Sequence, residues 1–457
     1  MQISQLPIDF IKGNIIHNLI AFSIPIVLGE LLQNLYNSAD ALVVGNFMDE
    51  NALAAVTVCG VISTLIVNFF NGMSVGTNVV VSRVFGAGDR QQLEHCICVS
   101  FTFSVIFGVV LSAAGIVFSP QLLNIAGTLP EYYEDALIYL RIYLAGLMFT
   151  VIYNSGAGIL RAVGDSRTPF RILAITCGVN IVLDILLVAV FRLGIAGAGF
   201  ATVFSQLLSS ICAFLAINKK QERNSFNFAE LHTGRAIIIS VLDNGMAAGM
   251  QSALIGFSNL FVVRYMNMFD TASVAGIGIA QRLDKFVVLP SKSFGITMTT
   301  FVSQNLGAER YEQIKHGKQK CVLLAVAVTL VLSGAVYVLA PQCAALFNSE
   351  EKVVSVASDM MRAFLPLMFL VAMREVYLGV MRGYQKNFAP MVLSLIGMVG
   401  FRQAFLTLTM RESPAIENIY FCYPAAWIVT LALLLLYYRV IRKNLVGLNG
   451  ESVPKEW

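Results

Sequence analysis

The chain has 457 residues, of which 57% are hydrophobic and only 13% charged, with a net charge of +4. Soluble domains carry about 25% charged residues, so a water-soluble fold of this length would lack the polar surface it needs. Burial in a bilayer removes that need, because lipid replaces water over most of the exterior, and the modest net charge marks no nucleic-acid partner.

A helix crosses the hydrocarbon with about 20 apolar residues. Spans are predicted at 17–44, 52–80, 95–118, 136–157, 170–191, 195–217, 236–263, 273–302, 319–341, 357–380, 388–409 and 417–440. The fold class is therefore all-α integral membrane, with twelve transmembrane helices. The first, second, seventh and eighth are long enough to tilt or to project beyond the hydrocarbon. Residues 1–18 hold too little continuous apolar sequence for a cleavable signal, and the run that follows contains Glu30, Asn34 and Asp40, so it reads as the first membrane helix. Alternate loops then collect Lys and Arg, about twenty on one side against four on the other. By the positive-inside rule both termini are cytoplasmic and the protein is a multi-pass resident of the cell membrane. The eight cysteines are scattered through apolar runs, and the Cys96-x-Cys98 pair has no second pair or histidines nearby, so all eight read as packing residues.

An internal repeat runs through the chain with an offset of 221 residues. Ser82-Arg83-Val84-Phe85-Gly86-Ala87 aligns with Ser303-Gln304-Asn305-Leu306-Gly307-Ala308, Arg161 with Arg382, and Pro169 with Pro390. Six spans per half is an even number, so the halves share one orientation and relate by a pseudo-two-fold axis along the membrane normal. Transporters built this way place the substrate between the halves. The expected organisation is a six-helix bundle over 1–217, a basic cytoplasmic linker over 218–235, and a second six-helix bundle over 236–457 that ends in a short tail.

Polar residues inside the spans point to a cavity or an ion path, because lipid tolerates them poorly. In the first span Glu30, Gln33, Asn34 and Asn37 share one face with Asp40 at its edge. Pro25 removes a backbone hydrogen bond there and predicts a bend. Asn180 and Asp184, four apart in the fifth span, stack on one face. Tracing the helices up and down puts Asp40, Tyr139, Asn180, Asp184 and Thr202 at similar height in the outer part of the first half. Two carboxylates in a poorly hydrated pocket resist joint ionisation, so the pair can take up a proton. Two carboxylates with the oxygens of Asn180 and Thr202 could equally hold Na⁺, a hard cation that prefers oxygen ligands. The residues leave both open. Gln33, Asn34, Tyr36, Asn37 and Asn154 are the candidates for the wall of a substrate cavity, and Tyr36 could meet an organic cation with its ring face. At the offset of 221 the five polar residues become Phe261, Met360, Phe401, Phe405 and Tyr423. Ion coupling is therefore expected in the first half alone.

The second half carries Arg282, Asp284, Lys285 and Lys292 in the eighth span, Arg374 and Glu375 in the tenth and Arg402 in the eleventh, with Asp243 in the seventh. Internal ion pairing is the expectation for these, with a role in shaping the cavity as the alternative. Asn68, Asn71 and Asn78 fall on one face of the second span and are expected to hydrogen-bond between helices. No G-x-x-x-x-G-K-[ST] or H-E-x-x-H motif is present. The chain reads as a non-enzyme that needs no cofactor and no ATPase partner, works as a monomer among lipids, and takes small molecules as substrates.

Several stretches together resemble the multidrug and toxic compound extrusion (MATE) family. They are Pro25-Ile26-Val27 through Asp40, Gly72-Met73-Ser74-Val75-Gly76 through Gly88, Leu160 to Asp165 with Pro169, Asn180 to Asp184, Gly194 to Gly199 with Ala201-Thr202, and Gln304 to Ala308. The resemblance covers nearly the whole chain. It implies two six-helix bundles around a central cleft, and efflux of cationic or amphiphilic compounds driven by inward H⁺ or Na⁺. It implies that Asp40 and Asp184 are coupling residues, with Tyr139, Asn180 and Thr202 as their hydrogen-bonding neighbours and Pro25 as the bend. Members of one branch carry an acid deep in the seventh span, where this chain has Gln251, Ser252 and Ile255, so a second-bundle cation site is not expected here. A lipid-linked precursor flippase is the alternative within transport, and a non-transporting membrane assembly protein the alternative outside it.

Overall fold

The computed structural model describes residues 8–48, 50–221 and 226–445, and of residues 37–42 and 442–445 the backbone alone. Among them there is no strand, as expected of a chain whose backbone must satisfy its own hydrogen bonds in lipid. The α-helices, in order, are α1 (Ile15–Phe47), α2 (Glu50–Ala87), α3 (Arg90–Ile125), α4 (Tyr133–Ala145), α5 (Leu147–Ala162), α6 (Arg167–Asp184), α7 (Gly194–Asn218) and α8 (Arg235–Met266) in the first stretch. There follow α9 (Thr271–Gly307), α10 (Tyr311–Val338), the short α11 (Ala340–Ala345), α12 (Glu351–Phe364), α13 (Phe369–Gly383), α14 (Phe388–Leu395), α15 (Arg402–Glu412) and α16 (Ile416–Leu445).

Nine of these paths are long and apolar enough to cross a membrane as they stand, and two more are bent pairs. One pair is Pro130–Ala145 with Leu147–Ala162, bent by 41° at Gly146; the other is Glu351–Leu367 with Phe369–Gly383, bent by 50° where Pro366 follows Leu365. The twelfth path is α9, 37 residues long, in which Arg282, Asp284, Lys285 and Lys292 interrupt the apolar sequence. Two predicted spans are not α-helical throughout. α6 continues into a π-helical segment, Ile185–Val190, and α14 reaches α15 through another, Ile396–Phe401. Each extra residue per turn re-aims the side chains on either side.

The repeat is visible in the helix starts. α2 and α9, α3 and α10, and α6 and α14 each begin 221 residues apart. Contacts repeat with them. The Ser82 hydroxyl donates to the Ala162 carbonyl at 3.4 Å, and the Ser303 hydroxyl donates to the Gly383 carbonyl at 3.3 Å. After α5 the chain turns through Gly164 at φ +86°, and after α13 through Gln385 at φ +60°. The left-handed position thus carries glycine in one half and a non-glycine, at some strain, in the other.

The chain divides into two compact units. The first takes in Ile24–Gly249 and the second Phe10–Ser23 with the residues from Met250 onward. Helices α1 and α8 are thus each shared, and α1 parts two residues before Pro25. These limits differ from the segments read in the sequence, because residues 235–249 pack with the first unit and residues 10–23 with the second. Close crossings hold them there. In the first unit a Cβ on Gly76 would come within 2.6 Å of the Gly245 nitrogen, and one on Gly249 within 2.7 Å of the Phe69 carbonyl. Gly72 and Gly76 face Gly245 and Gly249, two small-xxx-small pairs that let backbones touch. In the second unit the same position is a hydroxyl pair, Ser23 against Thr297 at 2.9 Å. Phe10 anchors that lead-in, 1% exposed, with its ring edge-on to Phe22 and Phe301, and with its carbonyl accepting from Gln313 and Asn305.

The described part of the linker is also docked. Asn227 donates its backbone N–H to Thr102 at 3.1 Å, and His95 Nδ1 lies 3.0 Å from the Glu230 carboxylate. Outside the spans, Asp270 caps α9 by accepting from the Ser273 N–H, and the Lys352 ammonium 3.0 Å away, together with Ser273, holds its carboxyl at about 2. All eight cysteines are free thiols, six of them buried.

The α2–α8 crossing predicts that Gly76→Ala lowers unfolding stability by about 1–3 kcal/mol, since the added Cβ meets backbone that cannot swing aside. Gly60, with open space around it, should accept alanine within about 0.5 kcal/mol. Thermal unfolding of both variants in detergent measures the difference.

Candidate functional site

The first unit holds the expected polar residues on four helices. The site is shaped by how closely these helices approach. α7 presents Gly197 to the Leu187 carbonyl, which a Cβ would meet at 3.0 Å, and Gly199 to the Ile142 side chain at the same distance. Glycine at these positions lets the π-helical end of α6 and the bent α4 close onto α7. Lower down, Ser209 donates to Thr176 at 2.9 Å and ties α7 to α6.

Within this frame Asn180 and Asp184 are each 1% exposed, and Thr202 and Tyr139 are buried. The Tyr36 hydroxyl of α1 donates to Thr202 Oγ1 at 3.3 Å, and Thr202 in turn donates to the Ala198 carbonyl. Tyr139 stacks on Tyr143 at 6.4 Å. One contiguous apolar cluster contains Tyr139, Val44, Val188 and Ala198. Val44 lies one turn beyond Asp40, Val188 one turn beyond Asp184 and Ala198 one turn before Thr202. The cluster therefore gathers the helical turns next to each expected site residue. The side chains of Asp40 and Asn37 lie outside the described residues.

The Asn180 amide is the outstanding feature. Both its oxygen and its nitrogen are buried, and among the described residues neither has a hydrogen-bond partner. Leaving a buried amide unmatched costs about 1–3 kcal/mol, which a core without function has no reason to bear. Its orphan oxygen beside a buried carboxylate one turn away suits an oxygen-ligated cation or a proton carried with water. Asp184 closes α6 at the point where the π-helical segment begins, so its position is set by the change of helical pitch.

The other expected residues are more dispersed. Glu30, Gln33 and Asn34 are half-buried on α1, and Asn154 is half-buried on α5. Glu30 lies within electrostatic reach of Arg161 and Tyr153. Sequence reasoning ended the fourth span at residue 157, whereas Arg161 occupies the last turn of α5. It also overlooked a hydroxyl group set between helices, in which Ser104 donates to Ser155 at 2.6 Å with Thr77 3.4 Å beyond. These face a space of about 20 Å³, room for a water, walled by Phe70, Phe103 and Phe107. The small hydroxyl residues at helical spacing were the available signal. Asn78 donates to the Gly158 carbonyl at 3.2 Å, the interhelical bond expected of it.

In the second unit the equivalent positions are apolar. Phe401 and Phe405 pack side by side at 6.2 Å against a large apolar cluster that also contains Met360. Gln251 is buried and accepts from the Arg382 guanidinium at 3.1 Å. That arrangement opposes a cation site at this place. The charged residues are only partly paired. Arg374 and Glu375 meet at 2.7 Å, and Arg402, buried, donates to Ser258 at 2.8 Å and lies over the Tyr423 ring.

The family model MatE matches residues 25–186 and again 247–406, once in each half. Among curated relatives, a probable multidrug resistance protein of Bacillus subtilis, YoeA, is 25% identical over 441 residues, covering 95% of each chain. A second from the same organism, YpnP, is 28% identical over 401 residues, 88% of this chain and 89% of the relative. The multidrug export protein MepA of Staphylococcus aureus is 20% identical over 85% of this chain and 86% of its own. The fold matches an outward-facing multidrug resistance MATE transporter with a TM-score of 0.86 at 22% identity, over 96% of this chain and 98% of that one. It also matches a transporter from Pyrococcus furiosus, described as having a binding pocket of reversed polarity, with a TM-score of 0.85 at 21% identity and the same coverage.

The buried amide makes a prediction that separates stability from function. Asn180→Leu should raise the unfolding temperature of the protein in ion-depleted detergent, by an amount equivalent to about 1 kcal/mol, and should impair exchange. Lower stability in differential scanning calorimetry would show the amide to be satisfied. The two half-chain matches, the twelve helical paths and the fold agree, and the chain belongs to the MATE family of multidrug transporters.

Proposed function

We propose that the protein exports small organic compounds, cationic or amphiphilic, across the cell membrane in exchange for H⁺ or Na⁺, and that the exchange site is the Asp40–Asp184 region of the first unit. The observation that carries the reading is the burial of Asp184 one turn from the unmatched Asn180 amide, at positions where the second half has Phe405 and Phe401. A purely structural polar group has no need to be confined to one half of a repeat. The relatives named as multidrug resistance and export proteins support the class of cargo.

The chemistry follows from solvation. A carboxylate held out of water is stabilised by a proton or by Na⁺, and is costly without either. When the site takes up its ion, its negative charge falls and the packing of α1, α6 and α7 around it can change. Tyr36, bonded to Thr202, links α1 to that response. Pro25 breaks the backbone ladder of α1 near the point where the helix passes from one unit to the other, and supplies a place for it to bend. Both termini are placed in the cytoplasm by the distribution of Lys and Arg, and the work comes from the ion gradient, with no nucleotide.

In proteoliposomes with pH and Na⁺ gradients imposed separately, one of the two gradients should drive uptake of a lipophilic cation such as tetraphenylphosphonium without ATP. Asp40→Asn and Asp184→Asn should each reduce this at least ~100-fold, while Phe261→Ala and Phe405→Leu keep it within ~3-fold, as expected when only an ion-binding group carries the coupling. Full exchange in both Asp variants would remove the assignment. Pro25→Ala should slow turnover with less effect on cargo affinity.

A further inference from the structure

The second unit carries a feature that ion coupling in the first does not use. Arg282, Lys285 and Lys292 are exposed on α9, and their spacing of three and seven sets them along one face of the helix. The helix is 37 residues long, and the three cations sit within about 11 Å of its midpoint. Among the described residues none of them forms an ion pair. Glu375 is committed to Arg374 at 2.7 Å. Asp284, on another face of α9, is within electrostatic reach of Lys285 and Lys292, and Glu375 is also within reach of Lys292. Two acids cannot balance these three bases and Arg374 as well. Among the described residues the buried Arg374 Nε–H has no acceptor either.

A bare ammonium at mid-depth cannot rest against lipid tails, so this face must meet water and, with it, an anion. Phospholipid head groups are a poor fit for that role. Their phosphates lie at the edge of a hydrocarbon layer about 30 Å thick, whereas Lys285 and Lys292 lie near the middle of the helix. An anion reaching them has to come as a solute through the protein. We propose that the α9 stripe of Arg282, Lys285 and Lys292 binds the negatively charged group of exported compounds, so that the cargo includes amphiphiles bearing a carboxylate or sulfonate. The inference rests on the reading of the protein as an exporter of small organic compounds and extends its cargo to anionic amphiphiles.

The stripe has a geometry suited to selection by charge. Lysine and arginine stems supply apolar surface beside the charged ends, so an amphiphile can lay its body on the stems and its anion on the heads. Phe286, exposed next to Lys285, adds aromatic surface for that body.

The test compares two probes of one shape. N-dansyl-leucine carries a free carboxylate and its methyl ester carries none. Binding of each to the purified full-length protein in neutral detergent is followed by dansyl fluorescence, without any gradient. The acid should bind ~10-fold or more tightly than the ester, in line with one charge-assisted contact, and the preference should shrink as salt is raised. The Lys285→Gln, Lys292→Gln double variant should bring the acid down to the affinity of the ester. The Lys285→Arg, Lys292→Arg double variant keeps the charge and should keep the preference, which guards against a loss caused by misfolding. Equal affinities in the unaltered protein, no binding of either probe, or a preference that survives the Gln variant would overturn the proposal. Because no gradient is involved, failure of ion-driven tetraphenylphosphonium transport would count against the exchange reading and leave this result standing.

Discussion

The cost of holding a charged or hydrogen-bonding group away from water governs this molecule. In lipid every backbone N–H and C=O must find an internal partner, which makes every described span helical. The same cost sorts the side chains. Hydroxyls return their hydrogen bonds to the helix or to a neighbour, as Ser209 does with Thr176 and Ser23 with Thr297. The Asn180 amide in the first unit, which finds no such partner among the described residues, and the exposed α9 cations in the second stand apart from that pattern.

The duplicated architecture gives this contrast its force. The two halves share helix starts, a serine-to-carbonyl bond at the end of the second helix and a left-handed turn after the inner bent pair. Against that common frame the differences are functional candidates. The first half has a buried carboxylate and amide where the second has two phenylalanines. The second has Ser and Thr at the crossing where the first has paired glycines. One scaffold thus carries an acidic, oxygen-rich interior in one unit and a basic face in the other.

Much of this was legible in the sequence. Low charge and long apolar runs specify a membrane fold, because transfer into lipid dominates every other term, and the offset of 221 survives as a physical repeat in the helix starts and in the Ser82 and Ser303 bonds at the helix ends. The breaks were less legible. Gly146 and Pro366 are weak local signals whose effect depends on what packs against them. The π-helical segments after Asp184 and before Arg402 have no composition of their own, since one extra residue in a turn leaves hydropathy unchanged. The sharing of α1 and α8 between units could not be read from segment boundaries, as it arises from tertiary crossings, α8 at Gly72, Gly76, Gly245 and Gly249 and α1 at Ser23 and Thr297. For the site, spacing placed Asn180 and Asp184 on one face, but only packing shows that the amide is buried unmatched.

The central claim is that cargo and a small cation compete for protein whose state is set by the buried carboxylate of the first unit. The most direct measurement is the ion released when tetraphenylphosphonium is added to the purified protein in weakly buffered solution, read as H⁺ with a pH electrode and as ²²Na⁺ by equilibrium dialysis. The account predicts release of one of the two ions by the unaltered protein and none by Asp184→Asn. Cargo binding with no release of either ion, or the same release from the variant, would contradict it.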